Sequence, residues 1–126
     1  MTRRLQVVLG ATLLALAGSS AYADEGDPEA GAKVFNRCKA CHVVDEDKNR
    51  VGPYLHGVIG RPAGTAEGFK YSDAMKNSGI VWSEETIAEY IADPKAYVPG
   101  NRMAFPGLKK EKDIENLIAY LKEESQ

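Results

Sequence analysis

The five residues Cys38-Lys39-Ala40-Cys41-His42 decide the fold of this 126-residue chain. Cys38 lies three residues before Cys41 and four before His42, so on a helix both thiols and the imidazole share one face. Side chains arranged in this way can all reach one planar ligand. The same residues form the C-x-x-C-H signature of covalent haem attachment. We therefore predict one haem c, bound through thioethers to Cys38 and Cys41, with His42 as an axial ligand of its iron.

Other uses of the two cysteines fit the rest of the chain less well. A thioredoxin-like dithiol belongs beside a βαβ unit, and the sequence contains no convincing pair of alternating strands. A zinc site needs two more thiolates or imidazoles, but the chain has 2 Cys and 2 His in total, so only His56 remains. A disulfide between residues this close would close too short a loop to stabilise the domain much.

The N-terminal segment has the composition of a secretory signal peptide. Two arginines precede an apolar run that ends at Ala17, and Ala21-Tyr22-Ala23 offers small residues around a cleavage point. We predict a cleaved signal peptide over residues 1–23 and a single domain over residues 24–126. A retained membrane anchor would need an apolar run of about 20 residues. Cleavage would leave a net charge of −4 instead of −2, which argues against nucleic-acid binding.

The spacing of apolar residues predicts an all-α domain. Asp27 and Pro28 are typical of a helix start, Ser83 caps an acidic first turn, and Pro94 should end that helix near Asp93. Gly79 should stop a short helical turn. The predicted helices run from Pro28 to Cys41, from Ser72 to Ser78, from Ser83 to Asp93 and from Glu111 to Glu123.

The segment from Val43 to Tyr71 is too long and too rich in glycine for an ordinary connection in a small domain. Short helices joined by long loops do not supply a continuous apolar core. We therefore infer that a large, flat, apolar prosthetic group fills the centre of the domain.

A second axial ligand would separate an electron carrier from a protein that binds a molecule at an open iron position. The candidates are Met103, Met75 and His56. Met103 is favoured because Pro and Gly residues on both sides of it form a loop that can push one thioether inward. Met75 on a helical turn is typical of core packing, and His56 in a glycine-rich loop is typical of a surface or hydrogen-bonding residue.

Residues 26–124 resemble the class I c-type cytochromes, the family of mitochondrial cytochrome c and the soluble cytochromes of the bacterial periplasm. Besides the attachment motif, the resemblance rests on Gly31 to Phe35, Gly52-Pro53, Leu55-His56-Gly57, Gly60-Arg61, Tyr71 to Trp82, Glu89-Tyr90, Asn101 to Phe105 and Leu117 to Lys122. It implies the cytochrome c fold, with short helices and long loops wrapped around one haem. It also implies that Gly31 and Phe35 pack against Leu117 and Tyr120.

The resemblance assigns a function to each residue of the haem site. Cys38 and Cys41 anchor haem c, and His42 and Met103 are its axial ligands. The carbonyl of Pro53 accepts a hydrogen bond from the His42 ring. The residues around the haem propionates are Arg61, Tyr71, Trp82 and Asn101. Tyr90 points at the methionine sulfur, and Phe105 shields the exposed haem edge.

The function implied by the resemblance is that of a monomeric periplasmic one-electron carrier without enzyme activity. It would connect a cytochrome bc complex with a terminal oxidase, a photosynthetic reaction centre or a periplasmic reductase. A positive face for docking to these membrane redox complexes would be formed by Lys33, Arg37, Arg50, Lys95, Arg102, Lys109 and Lys110, and electron-transfer rates would fall as salt rises. The alternative is a haem enzyme or gas-binding sensor with an open distal position.

Overall fold

The computed structural model describes residues 26–126, and within this range the chain forms helices and loops but no β-strand. The helices are α1 (Pro28–Phe35), α2 (Asp73–Lys76), α3 (Glu84–Ala92), α4 (Pro94–Tyr97) and α5 (Glu111–Glu124). Two isolated β-bridges join His42 to Asn49 and Pro62 to Val81. The predicted all-α class is confirmed. The predicted signal peptide, residues 1–23, lies outside the described residues.

Side-chain caps start α1 and α3 where the sequence predicts them. The Asp27 carboxylate accepts a hydrogen bond from the backbone N–H of Glu29 at the start of α1, at 2.9 Å. At the start of α3, Ser83 and Thr86 exchange side-chain and backbone hydrogen bonds of 3.1 and 2.8 Å. These caps satisfy N–H groups that have no partner inside the helix.

The largest departures from the predicted helices are at the end of α1 and at α4. The first helix was expected to reach Cys41, but α1 ends at Phe35, and the chain continues as tighter turns in which the N–H of Cys41 bonds to the carbonyl of Cys38 at 3.1 Å. Pro94 ends α3 as expected, yet it also starts α4, which the sequence reading missed. Asp93 caps this extra turn by accepting a bond from the N–H of Ala96, at 3.3 Å.

The first and last helices cross at a point where only glycine fits. A Cβ on Gly31 would overlap the backbone carbonyl of Asn116. Beside this contact the Asn116 side chain accepts a hydrogen bond from the N–H of Asp27 at 2.9 Å, and the Phe35 and Tyr120 rings lie 5.2 Å apart. The predicted packing of the terminal helices is confirmed, and it fixes α1, the helix that leads into the attachment motif, against α5.

The long segment between His42 and α2 is held in place by bonds to distant parts of the chain. Its residue Arg61 accepts a backbone bond from Trp82 at 2.9 Å, and Ala63 donates one to Ile80 at 2.7 Å. The side chain of Asn49 ties two arms of the segment together through Glu67 and Tyr54. The segment therefore forms a wall around the centre of the domain.

Candidate haem site

A central cavity of about 540 Å³ brings the predicted site residues together from distant parts of the chain. Cavities of this size are typical of small-molecule and cofactor sites. All of the predicted cofactor-binding residues line it, namely Cys38, Cys41, His42, Pro53, Arg61, Tyr71, Trp82, Tyr90, Asn101, Met103 and Phe105.

The imidazole of His42 is held in one orientation. Its Nδ1 donates a hydrogen bond to the carbonyl oxygen of Pro53 at 2.7 Å, because a carbonyl can only accept. On the other side Gly52 leaves room for the ring, since a Cβ there would collide with it. Burial lowers the pKa of His42, the Pro53 hydrogen bond opposes this, and the Arg61 cation adds to it. The ring is thus kept neutral, with its second nitrogen free to bind a metal.

The two cysteines of the motif line the cavity and form no disulfide. Burial raises the pKa of the Cys38 thiol, and the neighbouring Arg37 cation partly offsets this. In residues 26–126 no cluster of three or more His, Cys, Asp or Glu side chains could hold a metal ion. Two thiols and an imidazole around an apolar cavity suit a haem, whereas a protein-bound zinc ion would lack ligands.

The thioether of Met103 enters the cavity from the loop between α4 and α5. The Tyr90 hydroxyl on α3 lies 3.9 Å from its sulfur and donates to it. Burial raises the pKa of Tyr90 to about 12, so this hydroxyl keeps its proton at neutral pH. Tyr90 therefore orients one lone pair of the sulfur and leaves another available.

Asn101 has partners other than the predicted propionates. Its side-chain amide donates to the carbonyls of Pro94 and Val98, both at 2.8 Å, and its oxygen accepts from the backbone N–H of Met103 at 2.9 Å. Both amide hydrogens are used, because an asparagine amide carries two. In this arrangement Asn101 shapes the loop that carries Met103 and has no donor left for a carboxylate.

The other two candidates for the second axial ligand differ in position. Met75 is buried on α2 and lines the same cavity, within the apolar core. His56 does not line it, and its ring pairs with the carboxylate of Asp47 at 2.7 Å on the outside of the long segment.

Arg61 offers a donor that the described residues do not use. Its Nη atoms donate to the carbonyls of His56 and Tyr54 at 3.1 and 2.8 Å, but its Nε is buried without a partner within residues 26–126. Nearby, the Tyr71 hydroxyl accepts from the N–H of Ala66 at 3.0 Å, which leaves its own proton available. An acidic group in the cavity would satisfy both donors, and haem carries two propionates, so the lining fits this cofactor.

The seven predicted docking residues are all exposed, but their surroundings differ. Arg37 and Arg102 line the cavity, and the Arg37 guanidinium lies over the Phe105 ring, 5.4 Å from its centre. Lys109 differs from the rest because its ammonium donates to two backbone carbonyls, those of Ala92 and Pro106. The four others are Lys33, Arg50, Lys95 and Lys110.

Sequence reasoning missed most of the apolar lining and the function of Gly52. Leu117 and Leu121 belong to the apolar stripe of α5 and Ile87 and Ile91 to that of α3, and all four line the cavity. Their helical spacing was a usable signal for a buried face. Leu55 and Val58 lie in an irregular loop, where no periodicity shows which side chains point inward.

The fold and this set of donors are those of a c-type haem protein, and comparison with known proteins defines the family. The sequence profile of the cytochrome c family matches residues 28–125. Cytochrome c2 of Blastochloris viridis is 52% identical over 112 residues, which are 88% of this chain and 88% of that protein. Cytochrome c2 of Rhodoblastus acidophilus is 58% identical over 97 residues, 76% of this chain and 91% of the relative.

A solved structure agrees with these sequence matches. Cytochrome cH from Methylobacterium extorquens superposes with a TM-score of 0.73 and 49% sequence identity, covering 77% of this chain and 98% of that chain. This chain belongs to the cytochrome c family. It is an electron carrier with one covalent haem c, and Cys38 and Cys41 supply the attachment motif. Among the described helices, none has the length and apolar character needed to cross a membrane.

Proposed function

We propose that this chain is a soluble, monomeric carrier of single electrons in the periplasm, with His42 and Met103 as the axial ligands of the haem iron. Bound haem c supplies one-electron exchange between ferrous and ferric iron. With His42 and Met103 both bound to the iron, no position would remain for a substrate. For this reason we propose a carrier without enzyme activity.

The observation that carries the proposal is the hydrogen bond from Tyr90 to the sulfur of Met103. A methionine that only filled the core would need no hydrogen-bond donor, because a thioether is a weak acceptor that apolar packing tolerates. Met103 is also held from its backbone side by Asn101. Met75, the other methionine at the cavity, has no such donor on its sulfur within residues 26–126.

The remaining residues of the site hold the cofactor and exclude water. His42 is kept neutral and fixed by Pro53, which favours metal binding through its second nitrogen. Arg61 and Tyr71 each offer a donor for a propionate. Phe105, beneath the Arg37 guanidinium, covers the cavity on the side of the Met103 loop. Burial of the site favours a high reduction potential.

We propose membrane redox complexes as the partners: a cytochrome bc complex as donor, and a terminal oxidase, a photosynthetic reaction centre or a periplasmic reductase as acceptor. The exposed Arg37 and Arg102 at the cavity support docking of the cavity side to an acidic surface. The signal peptide predicted from the sequence of residues 1–23 supports export. Electron-transfer rates should then fall as ionic strength rises.

Absorption spectra of the purified haem protein and three variants test the ligand assignment. Met103→Leu should abolish the far-red ferric band of methionine-ligated iron and allow carbon monoxide to bind the reduced protein. Met75→Leu is the matched control, because it removes the other thioether of the cavity, and His56→Gln removes the other histidine. Both should keep the band.

Three results would overturn the ligand proposal. A wild-type protein without the band, or one that binds carbon monoxide rapidly, would favour a haem enzyme or gas sensor. A band that survives Met103→Leu but disappears in Met75→Leu would transfer the ligand to α2.

A further inference from the structure

We propose that Lys109 is a positioning residue for the thioether of Met103, although its location in a basic segment suggests docking. The proposal rests on Met103 being an axial ligand, as proposed above. The Lys109 ammonium donates to the carbonyl of Ala92, the last residue of α3, and to the carbonyl of Pro106, three residues after Met103, both at 3.2 Å. It thereby joins α3 to the loop that carries the ligand.

The end of α3 needs a positive charge that the helix itself does not provide. The last carbonyls of a helix carry a partial negative charge and have no partner inside the helix. No basic residue occurs in the last turn of α3. The next residue is Asp93, whose carboxylate adds negative charge, and the following Pro94 has no N–H to donate. Lys109 supplies the missing cation from 17 residues along the chain.

Neighbouring contacts make this junction tight. The N–H of Leu108 donates to the carbonyl of Ile91 at 2.8 Å, and the Leu108 side chain is 1% exposed. Gly107 has a φ of +110°, and a Cβ there would overlap the Ala92 carbonyl and approach Lys109 Nζ. The backbone of the loop is therefore pressed against the end of α3 at the point where the ammonium lies.

Tyr90 is on the same helix as Ala92, and this connects the junction to the ligand. The Tyr90 hydroxyl reaches the sulfur of Met103, so the separation of α3 from the loop sets the distance between hydroxyl and sulfur. Asn101 fixes the beginning of the loop, and Lys109 fixes its end. Loss of the ammonium should let the end of the loop move away from α3 and increase the fraction of molecules in which Met103 has left the iron.

Displacement of Met103 by imidazole, followed through the far-red band of the ferric haem protein, measures this fraction. Lys109→Met keeps the length of the side chain and removes its charge. It should bind imidazole about fivefold more tightly, the effect of losing about 1 kcal/mol of hydrogen bonding. Lys110→Met is the matched control, because it removes the same charge from the next residue and should bind imidazole as the wild type does. Lys109→Arg retains a cation and should resemble the wild type.

Hydrogen exchange gives a second readout that does not depend on the iron. In Lys109→Met the Leu108 amide should exchange about fivefold faster, while amides of α5 keep their rates. Equal imidazole affinities for the variants at 109 and 110 would overturn the proposal and leave Lys109 as a docking residue. If Lys109→Arg bound imidazole as tightly as Lys109→Met, the positive charge would be excluded as the cause and the proposal would be overturned. Failure of the ligand assignment itself is separate, since the wild type would then lack the band or Met103→Leu would keep it.

Discussion

The two proposed iron ligands are held in different ways. His42 follows the second cysteine directly, and its ring is fixed by Pro53, 11 residues away, at 2.7 Å. Met103 lies in a loop without regular structure between α4 and α5, and its sulfur meets Tyr90 at 3.9 Å. The first ligand is held by a covalent anchor beside it and a short hydrogen bond, whereas the second is held in an irregular loop by a long, weak hydrogen bond to its sulfur. The hydrogen-bond partners of the two side chains are similarly far along the chain, 11 and 13 residues.

This difference predicts an order of events when the protein is destabilised. Segments held by few and weak contacts open at a low free-energy cost, whereas a segment tied by a covalent anchor and a short hydrogen bond stays closed until the fold itself opens. The methionine side should therefore open first, and the histidine side should open only with global unfolding. Changes on the histidine side should cost the most stability, and changes on the methionine side should affect ligand binding before they affect the fold.

The largest effect is expected for Gly52→Ala, on the histidine side. A Cβ at this position would collide with the His42 imidazole, whose own position is fixed by Pro53. Overpacking of this kind should lower the free energy of unfolding by about 3 kcal/mol, measured by guanidinium unfolding of the haem protein.

The matched control for this change is Gly60→Ala. Gly60 has a φ of +92° and no atom near its Cβ position, so only backbone strain of about 1 kcal/mol is expected. If Gly52→Ala and Gly60→Ala lowered the free energy of unfolding equally, the histidine side would not be closely packed.

A smaller effect is expected for Asn101→Ala, on the methionine side. The change removes two bonds to carbonyls and the bond to the N–H of Met103. We expect local opening of the loop to become about 30-fold more frequent, from a loss of about 2 kcal/mol. The far-red band should then disappear at a lower guanidinium concentration than the helical circular dichroism signal.

The exposed amide of Asn77 provides the control for Asn101. Asn77→Ala should leave the two transitions as they are in wild type. If Asn101→Ala shifted both transitions equally, the loop and the fold would open together, and the proposed order of events would be wrong.

The histidine side could be predicted from the sequence more completely than the methionine side, because one motif of five residues contains both cysteines and the ligand. The attachment motif and the helix caps at Asp27 and Ser83 act over a few residues, so their geometry follows from spacing. The prediction failed where local signals compete. The 36–41 segment continues the helical pattern, yet it forms tighter turns, and Asp93 with Pro94 both ends α3 and starts α4.

Long-range partners could not be predicted from the residues concerned. Lys109 is one of two adjacent lysines, and nothing in the sequence distinguishes it from Lys110. Its partner Ala92 is 17 residues away and offers only a backbone carbonyl, which has no sequence signature. Asn101 was assigned to the propionates from the resemblance alone, and its bonds to the backbone carbonyls of Pro94 and Val98 have no sequence signature either.

The smallest effect is expected for Tyr71→Phe, in the cavity wall outside both ligand segments. The change leaves the N–H of Ala66, whose residue is 4% exposed, without its 3.0 Å partner and should cost about 1 kcal/mol at neutral pH. Tyr54→Phe, which removes a similar 3.2 Å bond from the exposed Glu67, should cost less.

The pH dependence of this variant separates burial of Tyr71 from its hydrogen bond. Burial raises the pKa of Tyr71, so above about pH 10 the unfolded chain ionises this phenol before the folded chain does. The unfolded state then binds fewer protons than the folded state, and wild-type stability falls as pH rises. Phenylalanine has no proton to lose, so the stability difference between wild type and variant should shrink above pH ~10. Thermal unfolding at about one-unit intervals between pH 8 and pH 11 measures this stability difference. A constant difference would show that Tyr71 is not shielded from water and that this part of the cavity wall stabilises the fold as little as an exposed surface does.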